Sequence, residues 1–174
     1  MEKYPSGRRG WSRKPLEVKA CEGSNPSFSA KFKVTMIKKE ISSGAVIYKI
    51  FNNEYYFLIE YMSLGHISLC KGHVENNETL LECAYREIKE ETSLDVIIDT
   101  NFEHIITYSP YENVIKDVHF FIARVISNNE AVDSHDNEVK KIEFLPFIEA
   151  YNLLTYNTDK ETLLLAKKYL KELN

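Results

Sequence analysis

The chain has 174 residues, 44% of them apolar, with a formal net charge of −4, which suffices for one domain with a real core. Residues 1–35 carry eight Lys/Arg against three Asp/Glu and the remainder fourteen against twenty-three, so the acidic body argues against broad electrostatic binding of nucleic acid. No apolar run approaches the roughly 20 residues that span a bilayer, and Cys21, Cys70 and Cys83 are an odd set without a CxxC pair, which suits a reducing cytoplasm better than a disulfide framework.

In chain order, residues 1–35 stand apart. They hold three of the five Pro, three of the six Gly and the only Trp, Trp11, and show no hydrophobic period. They have no apolar stretch of the kind a secretory signal needs. Pro5, Gly7, Gly10 and Pro15 break any amphipathic presequence helix. Gly23-Ser24-Asn25-Pro26 is what GGT TCG AAT CCC encodes, a string that matches the T-arm of a tRNA gene. The expectation is that the reading frame opens inside such a gene and that translation starts at Met36. Residues 36–174 then form the functional domain, and residues 1–35 are an atypical segment, either such a mis-assigned start or a disordered basic tail.

Residues 43–50 (SGAVIYKI) and 55–61 (YYFLIEY) are rich in β-branched and aromatic residues. Asn52-Asn53 between them signals a tight turn, so they are expected to pair as a hairpin.

The next stretch, GHVENNETLLECAYREIKEETSL over residues 72–94, is the densest in information. Good helix formers without Gly or Pro predict a helix over 79–92. Leu81, Ala84, Tyr85 and Ile88 recur at i, i+3, i+4 and i+7 and are expected to face a core. Glu87, Glu90 and Glu91 fall beside that stripe and converge at i, i+3 and i+4. Like charges so spaced destabilise a bare helix, and no Lys stands four residues after any of them. Oxygen ligands gathered in this way suit a hard cation such as Mg²⁺, which takes one or two carboxylates together with substrate phosphates. Arg86 follows Glu82 by four residues and could pair with it on the solvated face; equally, it could orient Glu87. Cys83, inside the helix, is expected to pack rather than react.

Strands are predicted over 94–98, 104–108 and 118–126, with a turn at Ser109-Pro110. A short strand over 141–145 precedes Pro146. Helices are predicted over 147–154 and 158–173, the latter burying Leu163, Ala166, Tyr169, Leu170 and Leu173. This order argues for an α/β fold, a central mixed β-sheet with helices on its faces. His66, His104, His119 and His135 make no spaced zinc pattern.

The offsets across residues 72–94 resemble the Nudix box, Gly-x5-Glu-x7-Arg-Glu-U-x-Glu-Glu-x-Gly-U, where U is apolar. Gly72, Glu78, Arg86, Glu87, Ile88, Glu90, Glu91 and Leu94 match. Ser93 departs, standing where the family has Gly at a position suited to a left-handed helix end. The resemblance covers roughly residues 42–173. It implies a Nudix α/β/α sandwich and Mg²⁺-dependent hydrolysis of a phosphoric anhydride bond, with Mn²⁺ as the other ion in view. Gly72, Glu87, Glu90 and Glu91 would then serve the metal.

Beyond the box, Lys71-Gly72-His73-Val74-Glu75 resembles the Lys-Gly-His-x-Glu entry of asymmetric diadenosine tetraphosphate hydrolases. Cys70 stands where these enzymes have Pro, and Ile67 where they have Trp. The resemblance implies ATP and AMP as products, with Lys71, His73 and Lys116 on the phosphates and Tyr108 or Tyr111 stacking on adenine. Either Glu91 or Glu138 would take a proton from the attacking water, with Arg86 supporting the site. The partner is a small nucleoside polyphosphate, met by a monomer or small homo-oligomer. Other phosphohydrolase substrates are a nucleoside triphosphate, ADP-ribose, a nucleotide sugar or a 5′-triphosphate RNA end. A non-catalytic binding module is the alternative of another class, and the full set of box glutamates weighs against it.

Overall fold

A computed structural model of the chain describes residues 36–126 and 138–173. Segment 1–35, with the expected start at Met36, lies outside the described residues except for Met36 itself. Seven strands form one mixed sheet: β1 (Lys38–Phe51), β2 (Glu54–Met62), β3 (Ile67–Ser68), β4 (Lys71–His73), β5 (Val96–Tyr108), β6 (Val114–Val125) and β7 (Val139–Pro146). The main path runs β3-β2-β1-β6-β5, with β4 paired to β1 and β7 to β2. Among the described strands only β1 and β6 pair in parallel, from Lys38 opposite Val114 to Tyr48 opposite Arg124. Among the described residues there are three helices: α1 (Leu80–Thr92), α2 (Phe147–Leu153) and α3 (Asn157–Glu172).

Side chains alternate across a strand, so a strand covered on both faces reads as a continuous apolar run. That is why β1, β2 and β6 are so apolar. Val46, Phe57, Ile59, Val118, Phe120 and Ile122 point to one face, where Leu163, Ala166 and Leu170 of α3 and Ala150 of α2 cover them. Ala45, Ile47, Leu58, Phe121 and Ala123 point to the other, under Ala84 and Ile88 of α1. The result is the α/β/α sandwich expected from the sequence.

The β1–β2 hairpin closes through Asn52 and Asn53, both with positive φ (49° and 64°), as a two-residue turn with Phe51 opposite Glu54 and as Asn residues permit. The stretches predicted as separate strands over 94–98 and 104–108 are instead one strand, β5. Its pairing with β6 slips between Asp99 and His104. There Asp99 Oδ1 accepts hydrogen bonds from the Asn101 backbone N–H (2.9 Å) and side-chain amide (2.8 Å), and the strand continues through the slip.

Two apolar assignments differ from the sequence reading. Tyr85 is 40% exposed, its hydroxyl accepting from the Ile98 N–H at 3.3 Å. The buried face of α1 consists instead of Cys83, Ala84, Ile88, Glu91 and Thr92. Leu173 lies past the last turn of α3 and is 61% exposed. No helix among the described residues is long and apolar enough to cross a membrane.

Candidate active site

Helix α1 is anchored at both ends. Thr79 accepts a hydrogen bond from the Glu82 N–H at 3.2 Å, and Glu82 accepts one from the Thr79 N–H at 2.7 Å. This capping box occupies Glu82, so the pairing of Glu82 with Arg86 considered above does not form. At the other end Ser93 adopts a left-handed conformation (φ 56°) and its N–H donates to the Lys89 carbonyl. Ser93 therefore does the geometric job of the expected Gly, at a modest conformational cost.

Arg86 gathers the carboxylates before the helix and along it. Its Nη2 donates to Glu78 Oε1 at 2.7 Å and its Nε to Glu78 Oε2 at 3.1 Å. Its Nη1 donates to Glu87 Oε1 at 2.8 Å and Glu90 Oε2 at 3.0 Å, and Nη2 also reaches the His73 carbonyl at 3.0 Å. A planar, five-donor fork suits such a task as no ammonium would. The Arg86 guanidinium, with help from the Glu75 N–H, holds the Glu78 carboxyl at about 2, far below the usual carboxylate range. Of the two roles open to Arg86 from sequence, orienting Glu87 is the one the geometry gives.

Cys83, Glu87 and Glu91 form one row along α1, at i, i+4 and i+8, and that row faces the Lys71–His73 strand. Gly44 lets this strand approach, since a Cβ there would lie 2.1 Å from the Cys70 carbonyl oxygen. The Cys83 thiol sits 3.4 Å from the His73 carbonyl oxygen and is pushed up to about 12, chiefly by burial; it packs and is no nucleophile. Glu87 lies over Gly72, where a Cβ would come within 1.9 Å of its carboxyl carbon. Burial raises Glu87 to about 7 against the opposing pull of Arg86. Glu91 is 4% exposed and meets Glu60 of β2 and Cys70, the three ligand atoms lying within 4.8 Å of one another. Glu60 is pushed well above the carboxylate range by burial and by Glu91.

Glu87, Glu90 and Glu91 open onto one cleft of about 650 Å³. Its walls include Lys71, Gly72 and His73 from β4, Lys116 from β6 and Glu138. Glu138 is tied to the turn after β2 by the Ser63 N–H donating to its carbonyl at 2.7 Å. Lys116 Nζ lies 3.3 Å from His73 Nε2, and burial lowers the affinity of both groups for a proton. The donors are hard carboxylate oxygens, and burial, with Glu91 and Glu90 beside it, raises Glu87 despite its 2.8 Å ion pair with Arg86, as desolvation and like charges do. The residues present therefore fit a Mg²⁺ or Mn²⁺ ion.

A second cavity, of about 500 Å³, adjoins the first and shares Lys71 and His66 with it. Tyr108, Ile106, Pro110 and Tyr156 give it an apolar and aromatic lining. The His66 and Tyr156 rings are 5.7 Å apart. Tyr108 is 38% exposed and belongs to this lining, whereas Tyr111 is 75% exposed and lines neither cavity. Neither tyrosine is buried in the core. Asp159, at the start of α3, is 2% exposed, and its Oδ2 has no hydrogen-bond partner among the described residues.

Sequence reasoning brought Gly72, Lys71, His73, Glu87, Glu90, Glu91, Lys116 and Glu138 to one place. It missed Glu60, Asp159, His66 and Tyr156. For Glu60 a signal existed: it is the one charged residue on the inward row that begins with Leu58. His66, Tyr156 and Asp159 come from loops and a helix start brought together by tertiary packing, and no local pattern marks them.

A family model described as NUDIX domain matches residues 42–166. No curated protein matches the chain significantly. Among solved structures, the chain is similar to a C. elegans Ap4A hydrolase binary complex, with a TM-score of 0.70 and 22% identity over 76% of this chain and 98% of that one. It is also similar to the NUDIX domain of Shewanella oneidensis NrtR complexed with ADP ribose, at TM-score 0.61 and 14% identity over 80% and 90%. An E. coli dihydroneopterin triphosphate pyrophosphohydrolase aligns at TM-score 0.57 and 18% identity, over 71% and 91%. At these identities the structural likenesses establish the fold.

Proposed function

The chain belongs to the NUDIX family, and we propose that it uses Mg²⁺ to hydrolyse diadenosine tetraphosphate to ATP and AMP. It is a hydrolase of phosphoric anhydride bonds in nucleoside polyphosphates. The observation that carries the finer reading is the junction of two cavities at Lys71, one acidic and one aromatic. A polyphosphate with a base at its end needs both. The Lys71–Glu75 sequence and the likeness to the C. elegans Ap4A hydrolase fold support the choice of substrate.

Glu87, Glu90 and Glu91 hold the ion, which when bound neutralises phosphate charge and polarises the bond to be cleaved. Arg86 acts through these residues, fixing Glu87 and Glu90 as a positioning group. Lys71, Lys116 and His73 steady the phosphate chain. Of the two candidate bases, Glu138 takes the proton: Glu91 is buried among Glu60 and Cys70, whereas Glu138 stands exposed on the cleft wall. The water oxygen bonds to phosphorus, its proton passes to Glu138, and the anhydride P–O bond breaks with its electron pair on the departing phosphate. Tyr108, His66 and Tyr156 enclose a base, whose amino group Asp159 can accept.

A substrate panel tests the reading. Diadenosine tetraphosphate, nucleoside triphosphates, ADP-ribose, nucleotide sugars and 5′-triphosphate RNA are each incubated with Mg²⁺ and resolved by chromatography. Diadenosine tetraphosphate should be the fastest. If it is untouched while another compound turns over, the choice of substrate is wrong.

A further inference from the structure

We propose that Glu60, Cys70 and Glu91 form a second cation site, which takes a thiophilic divalent ion of the zinc class in place of magnesium. Three separate elements bring these residues together. Glu60 is on the α1-facing side of β2, Cys70 precedes β4, and Glu91 is in the last turn of α1. Cys70 is held by its carbonyl, which accepts from the Ala45 N–H at 3.1 Å. The three side chains are 1%, 1% and 4% exposed, and their ligand atoms all lie within 4.8 Å of one another.

Crowding two carboxylates and a thiol in a buried place is unfavourable unless something compensates. Glu60 Oε1 has no hydrogen-bond partner among the described residues, and a buried carboxylate oxygen in that state is unusual. It points to a missing electrophile in the cluster.

The donor set selects the ion. Magnesium wants oxygen ligands alone, while zinc binds thiolate and carboxylate together, at about 2.3 Å and about 2.0–2.2 Å. A tetrahedral ion at those lengths separates its ligand atoms by about 3.5 Å, so the cluster closes on it with small side-chain movements. The thiol proton leaves to solvent as the thiolate binds. Glu91 borders the outer cleft, which gives an entry path and leaves a fourth ligand position for water or a phosphate oxygen. The site shares Glu91 with the one proposed for Mg²⁺, a carboxylate offering one oxygen to each ion, and it does not depend on which polyphosphate is the substrate.

The test uses the full chain, saturated with Mg²⁺ and titrated with Co²⁺ as a spectroscopic probe. One equivalent of Co²⁺ should produce a near-ultraviolet thiolate-to-cobalt band, which Zn²⁺ then abolishes. Cys83→Ser should keep the band and Cys70→Ser should lose it. Absence of the band in the wild-type chain, or its survival in Cys70→Ser, would overturn the assignment. Glu60→Gln retains the shape of the side chain and covers the case of a Cys70 variant that does not fold. It should weaken Co²⁺ binding at least about tenfold, and unchanged affinity would equally overturn the site.

Discussion

The Glu87 carboxyl group lies so close to the Cα of Gly72 that a Cβ on Gly72 would sit 1.9 Å from its carboxyl carbon. One strand residue thus determines where a helix side chain delivers its oxygens. The obstructing atoms are the tip of a flexible side chain, so Gly72→Ala should move Glu87 and leave the sheet intact. We expect turnover to fall at least about tenfold, or ~1.4 kcal/mol of barrier, while the melting temperature shifts by only a few degrees. Kinetics and thermal denaturation on the same preparation check this.

Glu90 is an exposed member of the acidic row, with 58% of its side chain accessible and an ion pair to Arg86 at 3.0 Å. Exposed pairs contribute at most about 1 kcal/mol to stability. Glu90→Gln should therefore fold as the wild type does and lose about a hundredfold or more in turnover. Unaltered turnover would remove Glu90 from the site.

Arg86 serves Glu78, Glu87, Glu90 and the His73 carbonyl at once. An ammonium cannot satisfy that geometry. Arg86→Lys should weaken Mn²⁺ binding by about ten- to a hundredfold, measured by calorimetric titration, and should also lower the melting temperature. If Mn²⁺ affinity is unchanged while turnover collapses, Arg86 acts on the substrate and not through the carboxylates.

Glu87 is raised to about 7, mainly by burial, and Glu60 is raised as well. A carboxyl whose folded value lies above its unfolded one binds more protons in the folded state, so folding stability falls as pH rises between the two values. For Glu87 that window runs from the ordinary 4.5 to about 7. The metal-free protein should lose melting temperature across it. Added Mg²⁺ should restore more at pH 8 than at pH 5, because the ion binds the deprotonated form. A metal-free melting temperature that rises steadily from pH 5 to pH 8 would contradict this.

Tyr108 and Tyr156 line the cavity beyond Lys71. Stacking of a base on an aromatic ring is worth about 1–3 kcal/mol. Tyr156→Ala should raise KM for diadenosine tetraphosphate about tenfold with a smaller change in kcat. Tyr111→Ala should leave KM near the wild-type value, since Tyr111 is 75% exposed and lines neither cavity.

Much of this arrangement was legible in the chain because it is local. Glu87, Glu90 and Glu91 share a helix, and helical periodicity alone puts them side by side. The apolar runs of β1, β2 and β6 announce strands buried on both faces. The hairpin is written in Asn52-Asn53. What was not legible depends on packing between distant segments. The three-residue β4 forms only because Gly44 admits it against β1. Glu60 reaches Glu91 across the space between sheet and helix, a contact separated by thirty-one residues in sequence. Tyr85 was misplaced because α1 packs on β1 and β4 with its buried arc centred on Ala84, Ile88 and Glu91. In that row Glu91 is polar and so goes unread as an inward position, while Tyr85 lies on the arc's edge and is 40% exposed. The pairing of β5 with β6 slips beside the Asp99–Asn101 hydrogen bonds, and a polar interruption of this kind looks in sequence like a strand end.

The most direct measurement is product analysis of diadenosine tetraphosphate incubated with the metal-stripped chain, before and after adding Mg²⁺. The acidic cleft predicts no cleavage without the ion, and ATP and AMP in equal amounts once it is added. Undiminished cleavage in the presence of a chelator would contradict it.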